Sequence, residues 1–264
     1  MLFLLKITIT PVLVALVSLA ARRWGPTFAA LIIGFPWMTG PILFFLGVEY
    51  GDAFVARAAA GVLVGTVGVA SYLLAFASAA KRVSWPITVA VGSAAFFGAG
   101  LLLNTLQVSL WVAALCAVAS LFAANLLMPR VSELTAPPHL PWWDIPMRMI
   151  ATAALVSLIT LSTNFLEPEF LGVVATYPVI VAVVSAFTHA RWGWQPAILL
   201  VHGVSMALLS FVAFFLMLGA TVEHVGLVAA FALAAAAALV VSSAIVVFNG
   251  LRRNRVTASD RNKS

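Results

Sequence analysis

Residues 34–41 read Gly34-Phe35-Pro36-Trp37-Met38-Thr39-Gly40-Pro41 and lie inside an apolar run long enough to cross a bilayer. Two prolines, two glycines and a tryptophan interrupt what would otherwise be one helix. Proline lacks an amide N–H and clashes with the carbonyl four residues earlier. Pro36 therefore frees the carbonyl of Ile32, and Pro41 frees that of Trp37. Inside a membrane such groups persist only when buried in protein or facing a wet cavity. The octapeptide predicts a transmembrane helix broken at its centre and turned toward the protein interior.

The composition around it sets the class. Hydrophobic residues make up 64% of the 264 and charged ones only 8%, where a soluble chain carries about 25% charged. This is an all-α, polytopic membrane protein in contact with a lipid bilayer. Spans need about 20 apolar residues, and nine candidates follow: 2–21, 26–48, 53–79, 86–105, 108–129, 146–165, 168–189, 195–220 and 223–248. The opening apolar stretch reads as a retained span, because its positive pair follows the apolar run instead of preceding it. The net charge of +6 does not point to nucleic acid, since the cations sit at span ends. Arg22, Arg23, Lys81, Arg82, Arg130, Arg148 and Arg191 fall on one side, with the basic tail 249–264. The positive-inside rule makes that side cytoplasmic, leaving the N-terminus outside and the C-terminus inside. Trp24, Trp85, Trp142, Trp143, Trp192 and Trp194 form an aromatic belt at the same interface. The expected location is a bacterial inner membrane.

An ungapped shift of 142 positions lays one half of the chain on the other. Pro36 meets Pro178, Pro26 meets Pro168, Phe28 meets Phe170 and Phe45 meets Phe187. Gly51 meets Gly193, Gly61 meets Gly203, and Lys6 meets Arg148. Units 1–105 and 146–248 each hold four spans, separated by a connector span and linker at 106–145. An odd connector inserts the second unit upside down, so the sequence predicts a 4+1+4 inverted repeat. Inverted-topology repeats are characteristic of secondary transporters, which bind substrate near the midplane between discontinuous helices.

Pro36 and Pro178 lie equally deep in antiparallel spans two and seven, so the pseudo-symmetry brings both to the midplane. The candidate substrate site is the space between them: Gly34, Pro36, Trp37, Thr39, Gly40, Thr176, Tyr177 and Pro178. The indole N–H of Trp37 needs an acceptor when buried. Thr39, Thr176 and Tyr177 offer hydroxyls to a ligand, although Thr39 alternatively bonds back to its own helix and Tyr177 alternatively packs as an aromatic with a local partner. Gly34 and Gly40 either open the break or permit close helix contact. His202, in span eight, is either a proton relay or substrate contact, or a neutral hydrogen-bonded packing residue. Arg57 near the external end of span three, with Glu49 and Asp52 in reach, reads as an external gate or an interfacial salt bridge.

Other chemistries find no support. Cys116 is the single cysteine, and no metal-ligand spacing, serine–histidine constellation or P-loop is present. Neither enzyme activity nor a cofactor or metal is expected. Residues 171–193, LGVVATYPVIVAVVSAFTHARWG, and more loosely 28–51, FAALIIGFPWMTGPILFFLGVEYG, resemble the glycerol-metabolism-associated GlpM-type small inner-membrane proteins of bacteria. Those share a short helix in which small and aliphatic residues lead into an aromatic-proline pair. The resemblance implies a single-unit ancestor, duplicated and inverted, and carries across no substrate or catalytic residue. The 4+1+4 plan is also similar in logic to the drug/metabolite exporters, without their motifs.

The expected function is secondary transport of a small organic or amphipathic solute, with proton coupling through His202 as an addition. The alternative is a non-transporting scaffold or accessory subunit of a lipid- or polysaccharide-handling system.

Overall fold

The computed structural model describes residues 2–24, 32–37, 39–104, 108–131, 143–162 and 176–261. Every regular element among them is a helix. In chain order these are α1 (Leu2–Trp24), α2 (Thr39–Tyr50), α3 (Asp52–Ala80), α4 (Trp85–Asn104) and α5 (Leu110–Leu127). There follow α6 (Asp144–Ser162), α7 (Val179–Trp192), α8 (Trp194–Val225) and α9 (Leu227–Arg261). Among the described residues, five stretches are long and apolar enough to cross a membrane: Asp52–Ala80, Trp85–Leu103, Leu110–Leu127, Trp194–Val225 and Leu227–Val247.

Helices α3 and α8 form the centre and pack along one another. Val55, Leu63, Leu73 and Phe76 of α3 are fully buried, as are Val201, Val204, Phe215 and Leu218 of α8. α4 covers α3, α9 covers α8, and α5 lies against both central helices. α1 packs on α6 and α7, α4 touches α7, and α2 touches α9. Large apolar side chains on the outer helices remain exposed, among them Leu102, Trp111, Leu115, Leu126, Leu158 and Val240. In water such a surface would associate; against hydrocarbon it is the expected exterior. Several buried hydroxyls are satisfied by their own helices, as Thr66 donates to the Val62 carbonyl (3.0 Å) and Thr188 to that of Val184 (2.6 Å).

Several boundaries differ from the sequence reading, and two of them carry a physical reason. The corner expected before residue 223 lies at Gly226, whose φ of 77° is open chiefly to glycine, so Glu223 and His224 end α8. The sixth helix begins at Asp144 instead of 146, taking into its first turn a carboxylate that the linker reading left outside. An acid there complements the positive helix end.

Candidate functional site: a cavity between two helix breaks

The chain is not helical from Gly34 to Trp37. The Trp37 N–H donates to the Phe35 carbonyl at 2.8 Å, closing a three-residue turn over Pro36, and the Gly40 N–H then donates to Pro36 at 3.0 Å to start α2. At the other break the Val179 N–H donates to Tyr177 at 2.8 Å and the Ala182 N–H to Pro178 at 2.8 Å. Pro178 has φ −80° and ψ 67°, an inverse γ-turn. These two backbone bonds at one break have their counterparts 142 positions away at the other.

The recurrence extends beyond the breaks. Gly51 opens α3 with φ 83° and ψ 174°, while Gly193 opens α8 with φ 87° and ψ −179°. Their amides donate back to Gly47 (2.9 Å) and His189 (3.1 Å), again at the same offset. Gly34 lies so close to α8 that a Cβ there would stand 2.4 Å from the Ala207 Cβ. Gly65 on α3 faces Thr176 with 3.1 Å for the same hypothetical atom. The offset that carries 34 to 176 also carries 65 to 207, so the two contacts exchange.

Between the breaks lies a cavity of about 170 Å³. Pro36, Trp37 and Thr39 line it from one side, Thr176, Tyr177, Pro178 and Val179 from the other. Leu13 and Val17 of α1, Val62, Gly65, Thr66 and Val69 of α3, and Leu208 and Phe211 of α8 add to the wall. α2 has 12 residues and α7 has 14, about 18 and 21 Å at 1.5 Å per residue. Each is too short to cross a core of about 30 Å and runs from the break toward one end. The N-termini of both half-helices, Thr39 and Val179, therefore face the cavity.

The freed Ile32 carbonyl does not wait for water. The Trp37 indole Nε1 donates to it at 2.9 Å, and the Phe35 N–H adds a longer bond of 3.3 Å. Two needs apparent in the sequence, an acceptor for the indole and a donor for the carbonyl, meet each other. The Ser210 hydroxyl reaches the Gly34 carbonyl at 3.3 Å. The counterpart carbonyl at Val174 lies outside the described residues. Tyr177 is fixed through its hydroxyl to Ser93 Oγ (2.7 Å) and by ring contacts with Phe96 and Phe97. Trp37 is 48% exposed and lies against Phe35 with centroids 4.9 Å apart.

Gly34 and Gly40 do not line the cavity among the described residues; Gly34 allows close packing on Ala207, whereas a Cβ at Gly40 would make only ordinary contact with Phe214. His202 also stands apart from it. Its Nδ1 lies 3.2 Å from Asn125 Nδ2 and its Nε2 lies 3.1 Å from the Pro129 carbonyl, so both ring nitrogens have protein partners. Arg57 is exposed, and among the described residues no ion pair joins it to Glu49 or Asp52.

The ion pairs that do form converge on Asp144, which the sequence reading passed over. Arg22 Nη2 and Arg148 Nε reach Oδ2 at 2.9 and 3.0 Å, and Arg191 Nε stands 4.0 Å from Oδ1. The Arg191 guanidinium lies 4.5 Å from the Trp143 ring centroid, and that of Arg148 lies 5.2 Å from Phe187. The cluster ties the end of α1 to the start of α6 and the end of α7.

No protein-family model matches the chain, and neither a curated protein nor a solved structure does. What the cavity can hold follows from its own chemistry. No ionised side chain lines it among the described residues. A helix N-terminus favours a nearby anion by at most about 2 kcal/mol, whereas burying an ion costs several kcal/mol even after relaxation. The Trp37 and Thr66 donors are already engaged, and the Tyr177 hydroxyl shares a hydrogen bond with Ser93. The walls suit an uncharged body, and the helix ends suit a polar group without full charge.

Proposed function

We propose that this protein is a secondary membrane transporter of a small organic or amphipathic solute, working by alternating access about the cavity between α2 and α7. The observation that carries the reading is the meeting of two proline breaks, alike in hydrogen bonding and 142 residues apart, at one cavity. In the proposed arrangement α1–α4 form one unit, α5 connects, and α6–α9 form the second unit inverted, giving nine spans. The helix pairings support it: α3 with α4 answers α8 with α9, and α4 with α7 answers α9 with α2. Two like units packed about a pseudo-twofold axis have two equivalent arrangements, which open the centre to opposite sides.

The orientation is part of the same proposal. The Asp144 cluster and the Lys81–Trp194 contact (5.5 Å) lie at helix ends that share one side of such a topology, and its cations mark that side as cytoplasmic. An origin shared with the GlpM-type proteins, and a place in a bacterial inner membrane, belong to the proposal too. His202, engaged at both ring nitrogens, is not the residue on which we rest proton coupling.

The test is solute accumulation in proteoliposomes, with and without an imposed pH gradient, read against passive leak that can only equalise concentrations. Pro36→Ala and Pro178→Ala are expected to reduce accumulation while the protein still folds. If both alter packing and leave transport untouched, the central site is wrong. A folded protein that accumulates no solute under any gradient returns the scaffold reading.

A further inference from the structure

The central site has a size and a polarity, and together they narrow the substrate class. An apolar cavity of about 150 Å³ stays dry and takes up benzene, and the cavity here is about 170 Å³. Its broad surfaces are hydrocarbon: Val62, Val69, Leu208 and Phe211 with the ring of Tyr177. The polar groups most able to hold water, the Trp37 indole and the Thr66 hydroxyl, are turned to backbone carbonyls. A water placed against Val62, Val69, Leu208 and Phe211 lacks the two to four partners it requires, so the polar contacts of the site lie at the half-helix ends. A charged ligand meets no counter-charge from any lining side chain among the described residues.

We infer that the cavity binds an uncharged, mainly apolar molecule about the size of one aromatic ring, bearing one hydrogen-bonding group. The inference rests on the central site proposed above and names the ligand that site takes. The ring lies between Val69 and Phe211, and the polar group reaches the half-helix ends at Thr39 and Val179. Solutes of this kind cross bilayers unaided, so a carrier for them accomplishes something only by driving them against that leak. Binding is therefore the direct measurement.

The full chain in detergent is titrated with benzyl alcohol, benzoate and benzylamine, which share a ring and differ in charge. Calorimetry reports affinity, and Trp37, which lines the cavity, reports occupancy through its fluorescence. Benzyl alcohol is expected to bind about tenfold or more tightly than either ion. Filling the cavity by Val69→Phe or Val62→Phe is expected to weaken binding about tenfold or more, the scale on which pockets reject added carbon. Two variants on different turns of α3 guard against one failing to fold, and an unchanged melting curve identifies the folded one. Equal or tighter binding of an ion, binding undiminished in a folded filled variant, or no binding to the folded parent overturns the inference. Binding without accumulation in vesicles would sink the transporter reading and leave this inference standing.

Discussion

Asp144 holds the charged part of the interior together with one carboxylate. It is fully buried, and Arg148 beside it is nearly so. Removing one member of a buried pair leaves the other charge uncompensated, at about 3–5 kcal/mol. Asp144→Ala is expected to destabilise the folded protein on that scale in a denaturation titration in detergent. Adding Arg148→Leu should recover much of the loss, and a single variant as stable as the parent would contradict the role given to the carboxylate. Gly34 offers a second residue-scale test. A methyl there meets the Ala207 backbone at 2.5–2.6 Å, so Gly34→Ala is expected to cost about 1–3 kcal/mol by overpacking. Gly61 has open space around it, and Gly61→Ala is expected to be neutral or stabilising by up to about 1 kcal/mol; the same titration compares the two. Proline was legible in the sequence because its missing N–H acts the same way in any setting. Asp144 was not, because it follows a proline-rich polar stretch and one of its partners is 122 residues away. The local signal was present: Asp144 and Arg148 stand at i and i+4, the spacing of an intrahelical ion pair.

At the scale of elements, the long central helices were readable from hydropathy alone, with 53–79 expected for α3 against Asp52–Ala80 observed. The breaks at Pro36 and Pro178 were readable as breaks. Their form was not, because an inverse γ-turn and an indole closing on a freed carbonyl depend on backbone angles that no residue type fixes. The sequence left the freed carbonyl either buried in protein or facing a wet cavity, and the Trp37 indole supplies the protein partner. A consequence is accessible to labelling. Cys116 is exposed and is first replaced by serine. Cysteines at Thr39 and Val181, which both line the cavity, are then expected to react faster with a lipid-soluble maleimide than with a charged thiosulfonate. Equal rates would mean that the cavity is wet.

The whole molecule places its strongest polar contacts at one end. On the proposed topology, opening that end requires α1 and α7 to part, because both reach Asp144 through Arg22 and Arg191. A short bifunctional thiol reagent joining Arg22→Cys to Arg191→Cys is expected to arrest accumulation in vesicles while benzyl alcohol binding survives. Continued accumulation after complete cross-linking would show that this end does not open. The same arrangement has a consequence for synthesis. α1 packs on α6 and α7, and 122 residues separate Arg22 from Asp144. At about 5–20 residues per second, the ribosome needs roughly 6–24 s to deliver the carboxylate. During that interval Arg22 must be sheltered by headgroups, water or the insertion machinery, so α1 is made early and seated late.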